Sequence, residues 1–430
     1  MVHRRSVSAL ASLVLAGTLA ACGSGTSDTS EDATPDGPVD LRMTVWTADE
    51  GHLGLFQEIA DAYVADHPDE VSSVTFETIP FEDYTTTLTT QLAGGNTPDL
   101  AWVFESNAPE FVSSGALAEI GGTLEATDGY EYEDLLGSAL DLWSNDDGLY
   151  AYPFSNSPFV MFVNTDRIAE AGQTQPSELH AGGEWTYDSA RDISAATVED
   201  LGGAGLVVRD FDYTAWSNLA SVWGAWGAQP WSADGTTCEF DSPEMVDALS
   251  WFHDAVYTQG AIPGPGTAAD FFSGDTTMTI TQISRASALD GSFEWDIVPL
   301  PTGPAGQPGV IGQAGIGVLA NGENPGAAAN FLAHFTNPEN ASQLSQYFPP
   351  PRTSLLTTES LAEGNPAFDE RQLEIVVEAI DGAATKPSHV NYAQVDTATR
   401  SALDALWTET GDAAAVATEV CAAIDPLLQD

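Results

Sequence analysis

The sequence predicts an α/β protein built as two lobes, and three observations predict it. Its 430 residues exceed the roughly 250–300 at which a single hydrophobic core stops growing. The hydrophobic share, 43%, is that of an ordinary folded chain. From Leu41 to Phe104 the pattern switches repeatedly between period two and helical spacing, the signature of βαβ units.

The first strand is read at Leu41, Met43 and Val45, which alternate with polar positions and can face a core. It runs into Trp46, Thr47, Asp49 and Glu50, with Asp49-Glu50-Gly51 ending it. Phe56, Ile59, Ala60 and Tyr63 then give helical spacing. A second strand is expected at 74–79, a turn at Pro80 and Asp83, and a helix over about 84–93. Gly94-Gly95-Asn96-Thr97-Pro98 breaks that helix, and 99–104 is apolar enough to be a strand buried on both faces. In open α/β sheets, ligands bind beyond the carboxyl ends of the strands. Trp46, Asp49 and Glu50 stand at such an end and are expected to face a cleft.

The N-terminus is a targeting segment rather than part of the fold. Arg4 and Arg5 make a basic start, residues 7–17 an apolar run, and Leu19-Ala20-Ala21-Cys22 closes it. This order resembles a bacterial lipobox and implies cleavage before Cys22 with lipid on its sulfur. Residues 23–38 are rich in Ser, Thr, Asp, Gly and Pro, the composition of a flexible tether. No later apolar run approaches the roughly 20 residues of a membrane helix, so a soluble body held by a lipid anchor is expected. That leaves Cys238 and Cys421 as the remaining thiols of an exported chain, available for one disulfide, although sequence sets no distance between them.

Sixty-four acidic residues against eleven basic ones give a net charge of −53, and Lys386 is the only lysine. Such a field repels nucleic acid and anionic headgroups and argues against a nucleic-acid partner. By itself it does not call for a cationic ligand.

Several landmarks occur in a fixed order. Asn96-Thr97-Pro98-Asp99-Leu100 is followed by Phe111-Val112, Gly115 and Leu117-Ala118-Glu119-Ile120, then by Tyr150-Ala151-Tyr152-Pro153-Phe154 and Phe159-Val160-Met161-Phe162-Val163-Asn164. Glu184-Trp185-Thr186, Met278-Thr279-Ile280, Trp295-Asp296-Ile297-Val298-Pro299 and Pro349-Pro350-Pro351-Arg352 complete the series. Together they resemble the extracellular solute-binding proteins of bacterial ABC sugar importers, the family of the maltose-binding protein. The resemblance implies a periplasmic-binding-protein-like fold of type II, with discontinuous lobes joined by hinge crossings. Carried onto this chain, it implies a signal segment 1–21, a tether 22–39, lobe one from 40–152 plus 299–336, and lobe two from 153–298 plus 337–430. Pro153, Pro158, Pro299 and Pro301 fall near the expected crossings.

It also implies a lipid-anchored monomeric receptor that captures a sugar or oligosaccharide between its lobes and delivers it to the transmembrane subunits of a permease, with no cofactor and no metal. Sugar recognition needs flat apolar faces for ring C–H groups and polar groups for hydroxyls. Trp216, Trp223, Trp226 and Trp231 crowd one span. Trp216 and Trp223 lie in the segment that supplies aromatic contacts in the family, while Trp226 and Trp231 read better as core. Glu105, Ser106 and Asn107 follow the third strand as a polar contact loop. Phe154, Ser155 and Asn156 open the second lobe, and Gln282, Ser284 and Arg285 follow the strand at 278–280. Gln313 and Gly315 fit the Gly-rich return into lobe one. Several sugar binders of the family carry a tryptophan near the position of Ser284, and this chain does not. Arg352 reads as a partner for surplus carboxylates.

The competing class is a carbohydrate-active hydrolase. Asp49, Glu50, Asp99 and Glu105 stand near strand ends, and two carboxylates about 5–10 Å apart would suit glycoside hydrolysis. Among 64 acidic residues such coincidences arise by chance. The chain has no G-x-S-x-G, no H-E-x-x-H and no Walker loop. With Arg285 and Arg352 as the chief basic residues near the expected cleft, a neutral sugar is favoured over a phosphorylated or carboxylated one. Asp49, Glu50 and Glu105 leave an amine-bearing solute open.

Overall fold

The computed structural model describes residues 37–209, 215–364, 368–381 and 383–429. Pro38–Asp430 forms one compact unit. The expected signal segment, Cys22 and all but the last residues of the tether lie outside the described residues.

The strands in chain order are β1 Val39–Val45, β2 Val71–Thr78, β3 Leu100–Phe104, β4 Ser144–Asn145, β5 Gly148–Leu149, β6 Ala151–Asn164, β7 Ala204–Val208, β8 Thr276–Gln282, β9 Trp295–Val298, β10 Val310–Val318 and β11 Ala384–Thr385. Nine of them form one mixed sheet ordered β2-β1-β3-β10-β6-β8-β7, with β11 on β10 and β9 on β6, while β4 and β5 pair separately. β1 is parallel to β2 and β3, as βαβ units require, and β10 runs antiparallel to both β3 and β6.

Local chemistry explains the first units. Leu41, Met43 and Val45 are fully buried, and Thr44 on the opposite side is also buried because its hydroxyl meets the Tyr84 hydroxyl at 3.0 Å. The helix Glu50–Asp66 starts where the Asp49 carboxylate accepts the N–H groups of Gly51 and His52 at 2.8 and 3.0 Å. It buries Phe56, Ile59, Ala60 and Tyr63, one helical stripe, against the sheet.

β6 is fourteen residues long and buried throughout. Its first part pairs with β10, from Ala151 to Pro158, and its second with β8 and β9, from Phe159 to Asn164. Pro153 and Pro158, near the expected crossings, therefore lie within one continuous strand. Pro153 lies at the register shift where β10 skips from Ala314 to Ile316, and Pro158 lies where β6 changes partner. A proline is tolerated in a sheet at such places because the regular ladder is already broken.

Three hydrophobic clusters divide the interior. One joins β1, β2 and β3 with the helices Glu50–Asp66 and Pro325–Phe335. A second takes Phe159, Met161 and Val163 from one face of β6 with the helices Tyr187–Leu201, Pro243–Tyr257 and Ala413–Leu428. The third takes Val160 and Phe162 from the other face, with Phe271, Phe272 and the helix Glu370–Ile380. Alternation along β6 thus sorts its side chains between two cores. Leu300 and Val310 pack in the second cluster, Ile311 in the third and Ala314 in the first. Leu344 and Phe348 pack with the first. Packing thus changes from cluster to cluster inside β10 and again beyond Phe348, because the strand carries its residues across.

Cys238 and Cys421 are bonded, with Cα atoms 5.3 Å apart and 183 residues between them. The bond fastens the segment after Trp231 to the C-terminal helix, where the Asp425 carboxylate also accepts the Cys238 N–H at 2.8 Å. Closing so long a loop removes much of the unfolded chain's freedom. Replacing both cysteines by serine is expected to lower stability by about 3–5 kcal/mol, read as a lower urea midpoint; an unchanged midpoint would show the bond to be dispensable.

Candidate ligand-binding site

The carboxyl ends of β1 and β3 carry an aromatic wall. Trp46 stacks on Phe104 with ring centres 4.2 Å apart and planes 14° from parallel. Trp102 meets Trp46 edge-on at 4.7 Å and stacks on Phe154 at 4.5 Å. Phe81 packs its edge on Phe104 at 4.9 Å, yet stays 46% exposed. Each such pair contributes roughly 0.5–1.5 kcal/mol beyond its buried area, so the ring faces are held before anything binds.

Two adjoining cavities, about 270 and about 700 Å³, open beside this wall. Both are bordered by Trp46, Phe81 and Phe348 from the first core's side and by Arg209, Ser284 and Arg285 from the side of the second and third. The site is therefore a cleft between two separately packed halves.

Its floor is the β6–β10 pair. Gln313 accepts the Trp143 indole N–H at 3.2 Å and donates to the Asn156 side-chain oxygen at 2.6 Å, and Asn156 donates to the Pro153 carbonyl at 3.0 Å. This chain of bonds fixes the Gln313 amide. Lys386 forms an ion pair with Glu105 at 2.7 Å and lies 3.4 Å from the Asn218 side-chain oxygen. Burial pulls the Lys386 ammonium below its ordinary range, and the Glu105 carboxylate opposes that pull. Arg209 sets its guanidinium over the Phe81 ring at 5.3 Å, from a backbone with φ of 40° that a non-glycine residue rarely adopts. Two polar atoms at the cleft, the Gln282 side-chain oxygen and the indole N–H of the almost fully buried Trp102, have no hydrogen-bond partner among the described residues.

The family model for bacterial extracellular solute-binding proteins matches residues 50–342. The chain belongs to that family. It is similar to an arabinooligosaccharide-binding protein of Halalkalibacterium halodurans, 22% identical over 363 residues that span 79% of this chain and 78% of that one. It is also similar to an uncharacterized lipoprotein of Streptomyces antibioticus, 24% identical over 80% of this chain and 75% of its relative. Among solved structures, a cycloalternan-bound ABC substrate-binding protein of Listeria monocytogenes matches with a TM-score of 0.79 at 21% identity, covering 91% of this chain and 99% of that one. The acarbose-binding GacH receptor of Streptomyces glaucescens matches at 0.76 with the same identity and coverage. The fold is the two-lobe, maltose-binding-protein-like one, and the family is one of solute-binding proteins rather than enzymes.

In this solute-binding protein the residues singled out from sequence fall into three groups. Trp46, Glu105, Ser106, Phe154, Gln282 and Gln313 line the cleft cavities. Asn156, Asn107 and Gly315 stand behind the lining: Asn156 anchors Gln313, Asn107 is buried near Thr85, and Gly315 leaves room for the Trp143 ring, which a Cβ would meet at 2.7 Å. The third group lies elsewhere. Asp49 is taken by its capping bonds, and Glu50 is exposed in the first turn of the same helix. Trp216 is fully buried in the second core and donates to Asp396 at 2.8 Å. Trp223 is also buried there and borders a separate hollow that shares Lys386 alone with the cleft. Trp226 and Trp231 pack against the same core. The tryptophan-rich span thus packs around the disulfide. Asp99 accepts the N–H groups of Arg42 and Asn324, and fully buried Arg352 pairs with Asp134 and donates to the Tyr130 and Thr336 carbonyls. Sequence reasoning missed Phe81, Phe348, Arg209 and Lys386. Only Lys386 had carried a signal, as the chain's sole lysine.

Breaking the Glu105–Lys386 pair by Lys386→Met leaves a buried carboxylate without its cation, and a loss of about 3–5 kcal/mol is expected in urea unfolding. The double change Glu105→Gln with Lys386→Met is expected to cost clearly less. Equal losses would mean that the two side chains do not act as a pair.

Proposed function

We propose that this solute-binding protein is the lipid-anchored extracellular receptor of an ABC importer, capturing a sugar or oligosaccharide in its cleft and handing it to the permease subunits. The observation that carries the reading is the aromatic wall of Trp46, Phe104 and Phe81, which lines one cavity together with Gln282 and Gln313. Flat ring faces suit the C–H faces of a pyranose, and amide side chains suit its hydroxyls. The names of the similar proteins support the same cargo class: cycloalternan, acarbose and arabinooligosaccharide. Anchoring at Cys22 is supported by the lipobox-like sequence and by a relative described as a lipoprotein. A ligand touching both halves favours a closed form over an open one by its extra contacts there, and that form is the one a permease would select.

A thermal-shift screen of the full chain against neutral mono- and oligosaccharides, polyols, amines and sugar phosphates tests the cargo class. Ligands that bind only the native state raise the melting temperature by mass action. A saturable rise with saccharides is expected, and Trp46→Ala is expected to weaken that binding about two- to tenfold, the worth of one lost stacking face. A rise confined to non-saccharides would overturn the sugar reading. For the anchor, Cys22→Ser is expected to move the protein from the membrane fraction to the medium; retention at the membrane would refute it.

A further inference from the structure

We infer that the Glu105–Lys386 ion pair is itself a recognition element of the cleft, one that bonds two neighbouring hydroxyls of the saccharide, so that the cargo presents a free vicinal diol there. The inference rests on the saccharide reading above and adds to it which part of the sugar is selected and by which residues.

Among the described residues two carboxylates are buried, Asp99 and Glu105. Asp99 is used up by the fold: one oxygen accepts the Arg42 N–H at 2.9 Å and the other the Asn324 N–H at 3.1 Å. Glu105 is not. Its Oε1 meets the Lys386 ammonium at 2.7 Å, while its Oε2 accepts no hydrogen bond from a described residue and is not sealed from solvent. Lys386 is also underused. An ammonium has three N–H donors. One is engaged by Glu105, a second lies 3.4 Å from the Asn218 side-chain oxygen, and the third is left over. Both side chains line the smaller cleft cavity, with 6% of the Glu105 and 11% of the Lys386 side chain still exposed. The pair thus sets an unused acceptor beside an unused donor at the wall of the cleft.

A vicinal diol is the complement of that arrangement. A hydroxyl both donates and accepts, so one can donate to Glu105 Oε2 while its neighbour accepts from Lys386 Nζ. With carboxylate and ammonium in contact, acceptor and donor are close enough for adjacent hydroxyls and too close for hydroxyls on different sugars. Bonds to ionised groups are the stronger kind, and the opposite charges cancel within the pair, so a neutral sugar leaves neither of them unpaired. Ser106, Ser155 and the rings of Trp46 and Phe104 border the same cavity, giving the sugar that carries the diol further hydroxyl partners and a ring face. The pair also spans the cleft. Glu105 follows β3 of the first half, whereas Lys386 follows β11, which pairs with β10 at Val310 and Ile311, and lies beside Asn218 of the second half. A diol bonded to both is held by the two halves at once.

The test is calorimetric titration of the full chain with glucose, galactose, mannose, arabinose, maltotriose and arabinotriose, then with the series of monodeoxy forms of the tightest binder. Loss of either of two neighbouring hydroxyls is expected to weaken binding about tenfold or more, the worth of one hydrogen bond to a charged group. In the double variant Glu105→Gln with Lys386→Met, both penalties are expected to fall at least threefold, whereas Trp46→Ala, which weakens binding by another route, leaves them within twofold of the wild type. A wild-type protein for which no two neighbouring hydroxyls matter would overturn the inference by itself, whether or not the double variant folds. Deoxy penalties that are the same in the double variant as in the wild type would also overturn it, and both results leave the saccharide receptor standing. Silence from every saccharide, here and in the thermal screen, would overturn both.

Discussion

The structure depends on the pairing of β6 with β10. Both strands are buried from end to end, so their backbone groups must find partners within the sheet, and each runs from one packed half into the other. This forces an unusual composition on β10, Val-Ile-Gly-Gln-Ala-Gly-Ile-Gly-Val. Its glycines are places of close approach: a Cβ at Gly312 would strike the Gln282 side chain at 2.7 Å, and one at Gly315 the Trp143 ring at the same distance. A strand that would otherwise be too thin to stabilise itself is thereby clasped by large side chains from its neighbours. The cleft follows from that arrangement, because its floor is the middle of this pair and its walls are the strand ends on either side.

Charge is distributed by the same logic. Solubility is left to a surface crowded with carboxylates, while several of the few cations work inside. Arg352, with no exposed surface, gathers the carbonyls of Tyr130, Glu131 and Thr336 beside Asp134 and so ties the loop after the first core's short helices to the chain that leaves that core. Lys386 sits between Glu105 on one half and Asn218 on the other. In both places a cation satisfies several acceptors at once, which a buried charge must do to offset its lost hydration.

Much of this was legible in the sequence where the signal was local. The first three strands and the helices between them follow from spacing alone, and Trp46 was found because a strand's carboxyl end is a local property. What was not legible depended on partners far along the chain. Asp49 looked like a cleft carboxylate, yet it precedes a helix whose free N–H groups claim it first. Trp216 and Trp223 looked like ligand platforms because tryptophans serve both cores and sugars, and only the disulfide and the C-terminal helices decide for the core. Pro153 and Pro158 looked like breaks because a register shift and a change of partner leave no trace in one strand's own residues.

The two halves contribute different chemistry to the cleft. From the first come ring faces, Trp46, Phe81 and Phe104, flat apolar surfaces that make few directional demands on a ligand. From the second come Gln282, Ser284, Arg209 and Arg285, whose hydrogen bonds are directional. Contacts already run across the gap, Arg209 onto Phe81 and Lys386 onto Glu105, each pairing a cation of the second half with a ring or carboxylate of the first. A ligand that stacks on the first half while bonding to the second joins the same set of cross-cleft contacts, and so stabilises the arrangement in which the halves meet. On the proposed reading, affinity and closure are governed by the same residues, with selectivity mainly in the second half. A relative could change its cargo by altering the residues that follow β7 and β8 while keeping the aromatic wall intact.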